Sequence, residues 1–285
     1  MASGRVSVVT GASRGLGRGI ALALGAAGDT VYVTGRSVDA PTGSWPGTIH
    51  ETAEAITAAG GKGIAVACDH LVDEQTKAVF DRVLDEQGRL DVLVNNAFAM
   101  PDMSALPGNF WERELDEWKL QIDIGLRSSY VASYYGIPLL IKAGKGLIVN
   151  TSSPGAKVHL HPLPYGLSKI GHDKLAADMA PDVAPYGIAA ISFWHGLVKT
   201  DRVKLGLEHF PQMFEAIGGT AGAETPEFGG RIIDAIWNDA DMMRLSGGTF
   251  YTSELALHYG IVDEGGHQPI SFRQFFGAPI FEKAI

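Results

Sequence analysis

A single cysteine, Cys68, leaves this 285-residue chain no means of forming an internal disulfide, so packing and hydrogen bonding must hold it together. Its setting, Ile64-Ala65-Val66-Ala67-Cys68, reads as a buried strand and points to a reducing compartment, so a cytoplasmic location is expected. Positive charge is also scarce: 23 Lys and Arg stand against 32 Asp and Glu, a formal net charge of -9. That balance argues against nucleic acid and against anionic membrane surfaces, because both need a positive field, and leaves a small molecule as the expected partner. No apolar run approaches the roughly 18 residues of a membrane span, and Met1 to Arg5 is too short for a signal peptide. Metal-ligand spacing is lacking too, since His159 and His161 have no third ligand near them. No linker, composition shift or internal repeat divides the chain, so residues 1–285 are expected to form one domain.

What the chain has is apolar residue, 46% of the total, arranged in short strand-like runs. These fall at Val6 to Val9, Thr30 to Thr34, Gly63 to Cys68, Asp91 to Asn95, Gly146 to Thr151, Ile188 to Trp194 and Gly248 to Tyr251. Helical periodicity fills the gaps at Arg18 to Ala27, Ile49 to Ala59, Glu74 to Gln87, Leu115 to Ile141, Tyr165 to Ala184 and Ala223 to Asn238. Strands without polar alternation, separated by helices, predict an α/β fold: a doubly wound, Rossmann-type parallel sheet of about seven strands with helices on both faces.

The turn after the first strand reads Thr10-Gly11-Ala12-Ser13-Arg14-Gly15-Leu16-Gly17. A strand feeding a helix through such a turn aims backbone N–H groups and the positive end of the helix dipole at one point, which suits a phosphate. The spacing Gly-x3-Gly-x-Gly only approximates the general dinucleotide fingerprint, and no Gly-Lys-Ser/Thr follows to make a Walker loop. Taken alone, a plain tight turn also explains the stretch. Three irregular stretches lie where an open α/β sheet binds ligands: Ser37 to Gly47, Phe98 to Trp111 and Lys199 to Gly222. In the last, Leu205, Leu207, Phe210, Met213, Phe214 and Ile217 recur at roughly helical spacing, which predicts an apolar lid over about 199–222; a core or dimer-packing helix is the alternative.

Tyr165 and Lys169 lie four positions apart at the start of a helix and share a face. A free phenol titrates near 10, so a tyrosine serves as an acid/base near neutral pH only with help, and an adjacent ammonium favours the phenolate. As an isolated pattern this is weak, since a solvated helix face would produce it. Just past the fifth strand, Ser153 adds a hydroxyl that can hold a substrate oxygen.

These residues together resemble the short-chain dehydrogenase/reductase family. The matching features, in order, are Thr10-Gly11-x3-Gly15-x-Gly17, Asp69, Asn95-Asn96-Ala97, Ser153, Tyr165-x3-Lys169 and Gly196-x3-Thr200, over about residues 5 to 265, leaving about 265–285 as a C-terminal extension. The resemblance implies a nicotinamide cofactor, a catalytic set of Ser153, Tyr165 and Lys169, and a homodimer or homotetramer packed through the helices near Leu115 and Tyr165. It also implies that Gly11, Ser13, Arg14, Gly15, Leu16, Gly17, Asp69, Asn96, Val198 and Thr200 join Tyr165 and Lys169 around the cofactor, Asp69 reaching the adenine edge. Charge at the end of the second strand bears on which cofactor: Thr34-Gly35-Arg36-Ser37, with Arg14 nearby, offers two guanidiniums for a 2′-phosphate, which favours NADP. Asp39, the rival grip for a plain ribose, sits later in a loop and reads as a surface charge.

Departures from the family pattern are Phe98 after Asn-Asn-Ala, His195 before Gly196, and Gly125 where the family has an asparagine that holds a proton-relay water. Backbone carbonyls at Asp123 to Gly125 are expected to hold an ordered water in the asparagine's place. Among the rest, His159 and His161 are candidate substrate contacts or ordinary loop residues. Glu112, Glu114, Asp116 and Glu117 read as a solvated helix start, and Trp111, Trp118 and Trp237 as packing residues. The expected activity is NADP(H)-dependent transfer between a carbonyl and an alcohol on a moderately large apolar substrate. A non-redox lyase or epimerase, or a catalytically weak nucleotide-sensing protein, stand as alternatives on the same site.

Overall fold

The computed structural model describes residues 4–42, 45–100, 108–160, 162–209, 211–215 and 219–285. Seven parallel strands form one sheet: β1 (Val6–Val9), β2 (Thr30–Gly35), β3 (Lys62–Ala67), β4 (Val92–Asn95), β5 (Gly146–Ser152), β6 (Ile188–Trp194) and β7 (Thr249–Tyr251). Their spatial order is β3-β2-β1-β4-β5-β6-β7. All four residues of β1 and of β4, and all seven of β5 and of β6, are buried. Hence the unbroken apolar runs: a strand covered on both faces has no side left for polar residues.

The helices are α1 (Gly15–Ala26), α2 (Ile49–Ala58), α3 (Asp73–Gln87), α4 (Ser128–Ala143), α5 (Leu163–Val183), α6 (Asp201–His209), α7 (Pro211–Glu215), α8 (Phe228–Asn238), α9 (Thr252–Tyr259) and α10 (Arg273–Phe276). One core layer joins Ile20 and Leu24 of α1, Ile56 of α2 and Ile232 and Ile236 of α8 to one face of the sheet. The opposite layer joins Phe80 and Val83 of α3 and Leu140 of α4 to the other face. A capping box, Thr48 with Glu51, starts α2. The long helix predicted from Leu115 to Ile141 is instead two pieces. Lys119–Arg127 winds as a wide π turn before α4 begins, and Gly125 sits in the wide part.

The chain runs outward from β1 to β3, then returns to lay β4 on the other side of β1. This reversal opens a crevice beyond the carboxyl ends of β1 and β4, where an open α/β sheet receives its ligand. Among the described residues, no helix is long and apolar enough to cross a membrane, and no group of three His, Cys, Asp or Glu side chains is placed to hold a metal ion.

Candidate active site

The glycine turn after β1 is built against the end of β4. The Thr10 hydroxyl accepts hydrogen bonds from the backbone N–H of Asn96 and of Ala97, each at 2.9 Å. A Cβ on Gly11 would fall 2.7 Å from the Ala97 Cα, and one on Gly17 would fall 2.2 Å from the Asn96 amide nitrogen. Only glycine fits at either position. Gly15 differs: its φ of +55° is in the left-handed region, and the space beside it is open apart from a Thr200 methyl at 3.7 Å. There α1 begins with no side-chain cap and no acidic residue in its first turn, which leaves its N–H groups and dipole to a ligand. These features fit a dinucleotide diphosphate. Ser13 and Leu16 flank the turn, Ser13 buried and Leu16 packed on the core. Asn96, expected to meet the cofactor, directs its side-chain amide to the Thr10 and Gly11 carbonyls at 2.8 and 3.1 Å, so it braces the cradle from behind.

At the end of β2, the Arg14 guanidinium donates to the Ser37 hydroxyl and the Gly47 carbonyl, which fixes it over the crevice. Burial, and secondarily the positive charge of Arg36, hold the Arg14 pKa below its usual value. Arg36 is half exposed and lies 4.0 Å from the Asp69 carboxylate. Asp69 itself is fixed by its Oδ1 accepting from the Leu71 N–H at 3.0 Å. Asp39 lies away from this cluster, 91% exposed and 3.8 Å from His50. Sequence reasoning missed His70 beneath Asp69, which is buried, bonded to the Thr34 hydroxyl at 2.7 Å and pushed down to about 4 by burial, hence a neutral support.

Across the crevice, β5 delivers Ser153 and α5 delivers Tyr165, and their hydroxyl oxygens stand 2.7 Å apart. Lys169, one turn further along α5, donates from Nζ to the Thr151 carbonyl at 3.2 Å. Its Nζ lies 5.5 Å from the centre of the Tyr165 ring and 4.2 Å from that of Phe98. The expected lowering of the tyrosine pKa by the lysine is not what the structure shows. Burial pushes the Tyr165 phenol above its ordinary value, and the Ser153 hydrogen bond only partly opposes this. The Lys169 ammonium is itself stripped of water, and burial brings it down to about 8 against the opposing charge of Asp173. In this state the phenol is held protonated, the form that donates.

The slot at Gly125, beside the carbonyls expected to hold an ordered water, is bordered by a side chain. A Cβ on residue 125 would lie 2.8 and 2.9 Å from ring carbons of Phe98, so the ring fills the slot that glycine leaves. Behind it, His172 Nδ1 donates to the Ser168 carbonyl at 2.9 Å, which leaves Nε2 to accept from the Ser129 hydroxyl at 3.0 Å. Burial pushes His172 down to about 3, so it is neutral. Asp173 accepts from the Ser192 hydroxyl at 2.6 Å and the Trp194 indole at 2.8 Å, and burial raises it to about 6. No motif marks this polar support, and sequence reasoning passed over it.

After β6, His195 is buried 3.3 Å from Glu224, whose carboxylate also accepts from the Gly196 N–H at 2.7 Å. Val198 pairs with Glu224, and the chain then brings the Thr200 methyl to the open side of Gly15, at the glycine cradle. A cavity of about 780 Å³ opens beside Tyr165, with walls that include Phe110, Trp111, Val158, His159, Leu163 and Ile170. The described residues of 199–222 are not among its walls; Phe210 and Ile217 of the expected lid, like His161, lie outside the described residues, as does the Met213 side chain. Trp111 is therefore a cavity wall, 68% exposed, and Trp118 is also exposed rather than packed, while Trp237 packs on the core beneath Lys145. Glu117 is buried in a pair with Arg113 at 2.7 Å and is not part of a solvated helix start.

Comparison with known proteins agrees with this architecture. The short chain dehydrogenase family model matches residues 5–208. Dehydrogenase/reductase SDR family member 1 of Mus musculus is 41% identical over 271 residues, covering 92% of this chain and 84% of that protein. The Homo sapiens protein of the same name is 39% identical over 275 residues, covering 93% and 84%. A crystal structure of a short chain dehydrogenase from Mycobacterium thermoresistibile superposes with a TM-score of 0.78 at 25% identity, covering 98% of each chain. With a seven-stranded parallel sheet that reverses between β1 and β4, a family model matched over residues 5–208 and relatives 41% and 39% identical along most of the length, the chain belongs to the short-chain dehydrogenase family.

Proposed function

We propose that the chain is an NADP(H)-dependent oxidoreductase that interconverts a carbonyl and an alcohol on a moderately large apolar substrate. The observation that carries this reading is the 2.7 Å contact between the Ser153 and Tyr165 hydroxyls beside an apolar-walled cavity of about 780 Å³. Two hydroxyls at that separation can both reach one carbonyl oxygen. Ser153 holds that oxygen, Tyr165 gives it a proton as the carbon is reduced, and Lys169 places positive charge below the developing phenolate. The nicotinamide, when bound, supplies or accepts the hydride. Gly11, Ser13, Gly15, Leu16, Gly17, Val198 and Thr200 would hold its diphosphate end, and Arg14 and Arg36 the 2′-phosphate. Phe110, Trp111 and Leu163 suit an apolar or aromatic substrate body.

The test is a panel of ketones, aldehydes and alcohols followed by the absorbance of reduced nicotinamide with both cofactors. Turnover of aromatic or long-chain carbonyls with NADPH is expected. Substrate conversion without net cofactor consumption would favour the lyase or epimerase reading. A second reading, a nucleotide-sensing protein with weak catalysis, draws on the Phe98 ring that fills the slot at Gly125; it gains if NADPH binds and no member of the panel turns over. Tyr130 and Tyr134 on α4 and Leu167 on α5 leave apolar surface on two helices, which supports assembly as a homodimer or homotetramer. A monomer in sedimentation equilibrium at micromolar concentration would refute this.

A further inference from the structure

Phe98, in the loop after β4, and Gly125, in the π turn before α4, meet beside Lys169. The Phe98 ring occupies the volume that any side chain at 125 would need, with ring carbons 2.8 and 2.9 Å from an added Cβ. Its face covers the Lys169 ammonium, 4.2 Å from the ring centre, and it stands edge-on to the Tyr165 ring at 5.8 Å and 80°. One aromatic side chain thus touches both members of the pair, in a slot that exists only because residue 125 has no Cβ. A ring in that place does two things at once. It excludes water, which disfavours the ammonium, and it offers a π face, which favours it.

We propose that Phe98 is a positioning residue for Tyr165 and Lys169: an aromatic face that fills the slot over Gly125 and fixes the ammonium beneath the phenol. This rests on the reading of Tyr165 and Lys169 as the acid/base pair. Among the described residues, the titratable neighbours of Lys169 are Tyr165, His172 and Asp173, all on α5; β5 faces it with the Thr151 carbonyl and the loop after β4 with the Phe98 ring. Burial already brings the lysine to about 8 and holds the tyrosine above its usual value, so loss of activity on the alkaline side reports Lys169.

The experiment is the pH dependence of kcat/KM with an aromatic ketone and NADPH for wild type, Phe98→Leu, Phe98→Gly, Gly125→Ala and the double variant Phe98→Gly/Gly125→Ala. Phe98→Leu keeps the slot dry and removes the π face, so the alkaline limb moves down by about one pH unit. Phe98→Gly admits water, so the limb moves up toward the ordinary lysine value, and kcat at neutral pH falls by about thirtyfold, the factor a desolvated cation–π contact is worth. Gly125→Ala drives the ring out of the slot and costs activity in the wild-type background, yet costs little more once Phe98 is already glycine. Opposite shifts in the two Phe98 variants are the signature, since a merely structural role moves neither limb. An alkaline limb that stays in place in both variants, or additive effects of Gly125→Ala and Phe98→Gly, overturns the proposal. Should Phe98→Gly fail to fold, Phe98→Leu and Gly125→Ala decide it. Tyr165→Phe is assayed alongside: if it keeps full activity, the acid/base assignment falls, whereas an inactive Tyr165→Phe with wild-type behaviour at Phe98 removes only the role of Phe98. If no carbonyl turns over, the pH dependence of NADPH affinity, read by nicotinamide fluorescence, is expected to shift in the same two directions.

Discussion

Replacing Tyr165 with Phe is expected to lower kcat by roughly 10²- to 10⁴-fold, the range that positioned acid/base catalysis supplies, while leaving NADPH affinity nearly unchanged. The phenol oxygen stands 2.7 Å from the Ser153 hydroxyl and the residue is nine-tenths buried, so phenylalanine fills the same volume and removes one proton donor. Ser153 and Lys169 keep their anchors, the Gly155 N–H and the Thr151 carbonyl. Substrate affinity then falls only by the one lost hydrogen bond, and the effect appears in kcat rather than KM. Lys169→Ala differs in kind, because it removes both the charge below the phenol and a group facing the cofactor crevice, so kcat and NADPH affinity fall together. Stopped-flow reduction with excess enzyme separates the chemical step from release. If Tyr165→Phe retains more than about a tenth of wild-type kcat, Tyr165 is not the proton donor, since even modest acid catalysis exceeds that factor.

Most strands were legible because they are buried on both faces, and a run such as Ile188 to Trp194 has no polar alternation to give a solvent-facing side. The cradle was legible because three glycines in one turn have steric reasons that a sequence carries locally: two would collide with Asn96 or Ala97, and the third needs a positive φ. What escaped is relational. Phe98 and Gly125 read as two separate departures from the family pattern, yet one is the ring and the other its slot. Glu117 looked solvated because its neighbours are acidic, whereas Arg113 one turn earlier buries it in a pair. The direction of the Tyr165 shift depends on how much water the folded chain removes from phenol and ammonium alike, and spacing along a helix does not encode that.

The same relational logic bears on which cofactor is expected. Arg14 and Arg36 come near enough for the charge of one to disfavour that of the other, and Arg14 is held in place by neutral partners, the Ser37 hydroxyl and the Gly47 carbonyl. Among the described residues, Asp69 lies 4.0 Å from Arg36 and partly offsets the pair. Two mutually repelling guanidiniums at the end of β2 are relieved by a dianion and gain nothing from a neutral ribose hydroxyl. NADP(H) is therefore expected over NAD(H), by roughly ten- to a hundredfold in kcat/KM, the equivalent of one charge-assisted contact. The preference should weaken as salt rises, because Arg36 is half exposed and its field is screened. Arg36→Asp removes the attraction and sets a second carboxylate beside Asp69. A 2′-phosphate is then repelled while a 2′-hydroxyl finds an acceptor, so the preference should reverse to NAD(H). Steady-state kinetics with both cofactors on both proteins measures the change. Equal kcat/KM for the two cofactors in the unmodified chain would mean that the guanidiniums serve the loop after β2 and not the ligand, and an unchanged ratio in Arg36→Asp would assign any preference to Arg14 alone.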